Sequence, residues 1–288
     1  MDVRLSDAEK IFLVTGVEEG VRHDGRSCAD YRPIYLERGV LSTTDGSARV
    51  RIDKTDILVG AKCELQNIED TSKARNRIRF SVDCSANASP QFEGKGGDLF
   101  ADDIISALDA AYDNEYVLHD LKKLILTPNH MWAISVDVVI LQYGGSIIKA
   151  ALSDLEIAAV RMRRGDAKRY IVDLPDDEET WALDTSNLPL IVSVNKIGTG
   201  NVVDCTEIEE TCIRSALWVA VCKADDPLNA IVPLVRQTAG GSLERLSIDA
   251  MLELAVSSAQ QLHRSVQARL EQEDQQEELP QPGLTFLV

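Results

Sequence analysis

The chain of 288 residues is short of aromatics, of basic residues relative to acidic ones, and of long apolar runs. Aromatics make up 5% of it, and no stripe interleaves them with Lys or Arg in the pattern that stacks successive bases. Thirty Lys and Arg stand against 47 Asp and Glu, a net charge of −17, so no global basic field draws nucleic acid. Any RNA contact must be local or lent by a partner. No apolar run reaches the roughly 18 residues that cross a bilayer, so no membrane partner is expected. The four histidines, His23, His119, His130 and His263, show neither HxH nor HxxxH spacing, which argues against a metal site. No cofactor is expected. The six cysteines (Cys28, Cys63, Cys84, Cys205, Cys212 and Cys222) form no CxxC pair and follow no secretory signal. They read as reduced core thiols of a soluble intracellular protein.

What is present is length enough for two cores, since domains cluster near ~100 to 150 residues. Ser6 and Glu9 make a capping box that opens a short N-terminal helix. Strand-like runs follow at Arg32 to Leu36, Ser47 to Ile52, Asp56 to Leu65 and Ile78 to Cys84, and four in sequence predict an antiparallel meander. Ala48, Arg49, Val50, Arg51 and Ile52 alternate as a sheet with one exposed face requires, whereas Ile57 to Ala61 is a near-continuous apolar run suited to cover on both sides. A Gly-rich loop, Glu93 to Asp98, leads into a helix over Asp102 to Tyr112. A strand from His130 to Gln142 then turns at Gly144 and Gly145 into a helix reaching about Arg164.

The second half repeats the pattern. Strands are expected at Pro189 to Ile197, Asn201 to Cys205, Ser215 to Lys223 and Ala230 to Gln237. A long helix follows with an apolar stripe through Ile248, Leu252, Ala255, Ala259, Leu262, Val266 and Leu270. The fold class is α+β, with two sheet-plus-helix subdomains. The divisions are an N-terminal helix and arm over 1–28, a first domain over 29–165, an acidic connector over 166–186, a second domain over 187–270 and an acidic flexible tail over 271–288.

The most informative segment is Asp137 to Ala151, a buried strand running through a Gly-Gly turn into a helix. That geometry usually presents bare backbone amides to a phosphate. Here Ser146 and Ile147 follow the turn, and the first charge is Lys149. Lys95 and Lys149 are the basic candidates for RNA contact near this turn, and Arg161, Arg163, Arg164, Lys168 and Arg169 form a richer tract at an expected helix C-terminus, where the dipole alone favours cations. Asp24 beside Arg26 reads as a network that fixes chain entry. Glu207, Glu209 and Glu210 read as a solvated turn rather than a metal site.

Several strings together resemble the RNase PH-like subunits of the RNA exosome over roughly residues 5 to 270. They are Arg22 to Arg26 (RHDGR), Asp30 to Arg32, Gly46 to Val50, Thr55-Asp56, Val59 to Lys62, Asp83 to Ser85, Ser89 to Gly94, Lys196 to Gly198, Val203-Asp204 and Thr206. The resemblance implies an RNase PH-like fold in a hetero-hexameric ring with other RNase PH-like subunits. The ring would thread single-stranded RNA for 3'-to-5' processing and degradation, with cap subunits bearing RNA-binding domains and associated catalytic ribonucleases as further partners. It implies work in the nucleus, nucleolus and cytoplasm.

In the family's catalytic members an Arg after the Gly-Gly turn grips phosphate, and an Asp at the start of the second domain's first strand acts as the acid. Phosphorolysis needs both. This chain carries Ile147 and Asn187 at those positions, so Gly144, Gly145, Ser146 and Ile147 form a degenerate phosphate loop. Catalytic relatives also place arginines on the helix after the Gly-rich loop, where this chain has Ser106, Ala107, Asp109, Ala110 and Ala111. The expectation is a ring subunit without catalytic activity. Two alternatives stay open: an active phosphate-dependent exoribonuclease, and an unrelated α+β enzyme built on Cys84, Cys205 or an acidic site.

Overall fold

The computed structural model describes residues 5–67, 77–114, 116–117, 124–127, 130–145, 161–163, 180–182, 187–224, 229–275 and 285–286. The N-terminal helix α1, Asp7–Glu18, opens with the expected capping box, Ser6 and Glu9 each bonding the other's backbone. The strands β1 (Ile34–Arg38), β2 (Gly46–Ile52) and β3 (Thr55–Asn67) pair antiparallel in chain order. Ala48, Val50 and Ile52 are buried, while Arg49 and Arg51 pair outward with Asp56 and Glu37. The alternation therefore reports the sheet's two faces as expected. Cover on both sides of Ile57 to Ala61 is incomplete, because Leu58 is half-buried.

The four-strand meander does not hold. Strand β4, Ile78–Cys84, lies parallel to β6, His130–Gln142, and β6 inserts between β3 and β4. The insertion places the strand that ends at the Gly-Gly turn in the sheet interior. Its short neighbour β5, Ile125–Thr127, pairs with it from the side. The helix α2 spans Lys95–Tyr112, so it starts seven residues before the sequence suggested. Gly94 stands at its N-cap with φ of 69°, and Gly97 is close-packed, since a β-carbon there would lie 3.0 Å from the Phe92 carbonyl oxygen. That glycine serves packing rather than a loop.

Residues 161–163 form a strand, β7 (Arg161–Arg163), paired with β8 (Thr180–Ala182), and so are not the end of a helix; the earlier part of that expected helix lies outside the described residues. The second sheet runs β10 (Gly200–Val203), β9 (Leu190–Ile197), β11 (Ser215–Val221) and β12 (Leu234–Gln237), all antiparallel. A short helix, α3 (Glu207–Glu210), follows β10, and α4 (Arg245–Gln275) packs on β9 and β11. Of the expected tail over 271–288, only residues 271–275 and 285–286 are described. The helix continues to Gln275, and β13 (Thr285–Phe286) pairs with the outer edge of β1.

One core crosses both halves: Leu190, Ile191, Trp218, Leu262 and Val266 share a buried cluster with Val50, Ile57, Ile104, Leu108 and Val138. Tyr112, at the end of α2, donates its hydroxyl to the Pro189 carbonyl across 2.6 Å and joins that helix to the chain entering β9. Among the described residues no helix is long and apolar enough to cross a membrane.

Candidate functional site

The Gly144–Gly145 turn follows the last residue pairs of β6, and its conformation needs both glycines. At Gly144 a β-carbon would lie 2.5 Å from the Lys54 β-carbon, and Gly145 has φ of 90° with the Cys205 carbonyl 2.7 Å from where a β-carbon would stand. Among the described residues the Gly144 amide is not held out bare. Its N–H donates to Thr55 Oγ1 at 3.1 Å, and the same hydroxyl donates to the Gly145 carbonyl at 2.8 Å. Arg32 approaches from the other side, with Nη1 donating to the Gly144 carbonyl at 2.9 Å.

The turn is thereby joined to a buried network from the N-terminal arm. Both Asp204 carboxylate oxygens accept from Arg32, at 3.1 Å from Nε and 3.0 Å from Nη2, and Oδ2 also accepts from Arg26 Nη1 at 3.0 Å. Asp204 itself holds φ of 49°, a conformation that Asp tolerates better than most residues and that these donors maintain. Arg26 also binds Asp24, so the expected network fixing chain entry is present.

Deeper in, Arg22 is 2% exposed and Glu209 is 1% exposed. Arg22 Nε donates to Glu209 Oε1 at 2.9 Å and Nη2 to Oε2 at 2.5 Å, while its other donors reach the carbonyls of Asp30, Val203 and Asp204. Burial alone would raise the Glu209 carboxyl pKa; the hydrogen bonds from Arg22 and Thr206 and the charge of Arg22 outweigh it and hold the value below the ordinary Glu range.

The acidic cluster is therefore not a solvated turn. Glu209 closes a capping box with Thr206 at the start of α3, and Glu210 accepts the Tyr143 hydroxyl at 2.7 Å. The string Thr206-x-x-Glu209 carries the capping signal in plain sequence. Its partner Arg22, 187 positions away, has no local signal.

Of the expected site residues, Lys95 is exposed on the first turn of α2. Asn187 is half-buried in the turn before β9. Ser146, Ile147 and Lys149 lie outside the described residues, as do Arg164, Lys168 and Arg169. A reactive thiol is disfavoured. Burial pushes the Cys84 thiol up to about 11 and the Cys205 thiol well above its ordinary value, so both are protonated and poorly nucleophilic at neutral pH.

The model of the 3' exoribonuclease family, domain 1, matches residues 30–160. A Thermococcus kodakarensis protein named exosome complex component Rrp42 is 30% identical, across 72% of this chain and 77% of its own length. A Dictyostelium discoideum protein whose working name is exosome complex exonuclease RRP42 is 29% identical, across 76% of this chain and 84% of its own. Among solved structures, the Archaeoglobus fulgidus exosome with RNA bound to the active site superposes with a TM-score of 0.74 at 23% identity, covering 90% of this chain and 97% of that one. The fold is shared.

Proposed function

The chain belongs to the RNase PH-type 3' exoribonuclease family, and from that membership we propose that it is a ring subunit of an RNA exosome that shapes the RNA path without cutting RNA itself. The observation that carries this reading is the Gly144–Gly145 turn, tied inward by Thr55 and by an Arg32 guanidinium already engaged with the turn's own carbonyls, and continued in the chain by Ser146 and Ile147 where catalytic members carry the phosphate-gripping Arg. Asn187 at the position assigned to the acid supplies no proton at a useful rate. Loss of two such groups removes several kcal/mol of transition-state stabilisation, on the order of 3 kcal/mol each.

The names of the relatives support membership of an exosome complex, and the reading adds other RNase PH-like subunits in a hetero-hexameric ring, cap subunits and separate catalytic ribonucleases as its partners. All six cysteines are free thiols, which fits reducing compartments such as the nucleus, nucleolus and cytoplasm.

The purified protein is expected to degrade no single-stranded RNA, with or without inorganic phosphate. The working name of the Dictyostelium relative favours the opposite reading, an active enzyme. Phosphate-dependent release of nucleoside diphosphates that disappears in Lys149→Ala would establish that second reading and make Lys149 a phosphate ligand.

A second measurement asks whether the subunit touches RNA. If Lys95 and Lys149 face a shared channel, replacing both with Ala weakens RNA binding by the assembled ring and flattens its log–log salt dependence by about one to two units, leaving assembly intact. An unchanged slope would assign the basic lining to neighbouring subunits.

A further inference from the structure

Beside the Gly-Gly turn lies a cleft of about 350 Å³ that the scaffolding role does not use. It opens between α2 and the second sheet, with aromatic walls from Phe100, Tyr143 and Trp218, two carboxylates at Asp103 and Glu210, and the Asn195 carboxamide on its sheet side.

Three features define its chemistry. Asn195 is only 4% exposed, and one end of its carboxamide is engaged by the Ser193 hydroxyl at 3.1 Å; among the described residues no hydrogen bond engages the other end. The amide can turn over, with Ser193 accepting instead of donating, and so offer either an oxygen or an NH2 to a ligand. Asp103 at the rim is 59% exposed and neutralised by Arg236 Nη2 at 2.7 Å. Glu210 receives the Tyr143 hydroxyl on Oε2, and the rise in the Tyr143 pKa comes from burial and then from the negative charge of Glu210.

These features exclude an anion. A carboxylate beside aromatic faces disfavours phosphate and favours a planar cation, which stacks on the rings and donates to the oxygens. The net charge of −17 makes basic proteins the complementary class of partner. We propose that the cleft between α2 and the second sheet is a docking site for an arginine side chain of a partner protein, its guanidinium held by Glu210 and Asn195 between aromatic walls. This goes beyond the ring-subunit reading and does not depend on it, because no RNA or nuclease step enters.

The test titrates the full-length chain with agmatine, with a blocked Ala-Arg-Ala peptide and with guanosine, following tryptophan fluorescence and using Trp218→Phe to assign the signal. The expected result is saturable binding of agmatine and of the peptide within about threefold of each other, and binding of both roughly tenfold weaker in Glu210→Gln. Asp103→Asn, at an exposed position that does not threaten folding, frees Arg236 and should weaken both ligands by at least about threefold. Agmatine binding with exclusion of the peptide would assign the cleft to a free small cation and overturn the partner. Preferential binding of guanosine would assign it to an RNA base. No saturable signal up to about 10 mM in the folded protein, weaker than any useful millimolar site, would remove the site altogether.

Discussion

Glu209→Gln is expected to lower the unfolding free energy at pH 7 by about 3–5 kcal/mol, because it leaves the buried Arg22 guanidinium without its counter-charge. A pair this deep is costly to break and cheap to delete. The double variant Arg22→Met with Glu209→Leu should therefore lose less than either single change. Urea unfolding at neutral pH checks this, and equal losses in all three variants would show that the arm is held by something else.

The same carboxyl sets a pH dependence. Its pKa is lower in the folded than in the unfolded chain, so between the two values the unfolded state binds the extra proton. Its contribution is complete above the ordinary Glu value of about 4.3 and fades as pH falls through the folded value. Glu209→Gln should lack this part of the acid-induced loss.

Leu262→Ala is expected to cost about 2–5 kcal/mol, since the side chain is fully buried and its removal leaves a cavity. The consequence for cooperativity is more telling than the magnitude. Leu262 belongs to α4, yet it lies in the cluster that contains Val50, Ile57 and Val138 of the first sheet. Hydrogen exchange should thus accelerate in β2 and β3 as well as in β9 and β11, within one unfolding transition. Two separated transitions, with only the second half loosened, would mean that the two sheets keep independent cores.

Local patterns were legible where a residue's partner was near in sequence or its period was regular. The alternation in β2 and the apolar stripe of α4 both named their buried faces, and the capping box at Ser6 opened α1 where expected. Strand order was not legible, because β4 pairs with β6 across an intervening helix and no local property of Ile78 to Cys84 distinguishes parallel from antiparallel neighbours. The start of α2 was hidden by Gly96 and Gly97, whose composition suggests a loop although Gly97 is there to let the helix approach Phe92.

At the site, the Gly-Gly turn was visible as a turn. Its inward fastening was not, since Arg32 and Thr55 precede it by about a hundred positions. Glu209 was misread because three neighbouring acids ordinarily mean solvent.

The pairing of β13 with β1 also has a temporal side. Ile34 and Tyr35 are made early, whereas Thr285 and Phe286, which cover them, are made about 250 residues later. Until they are made the first sheet carries an open outer edge, the kind of template on which foreign strands extend a sheet. Closing that edge waits on residues far downstream, so a product cut off before Thr285 would keep the buried clusters and carry an unsealed flank.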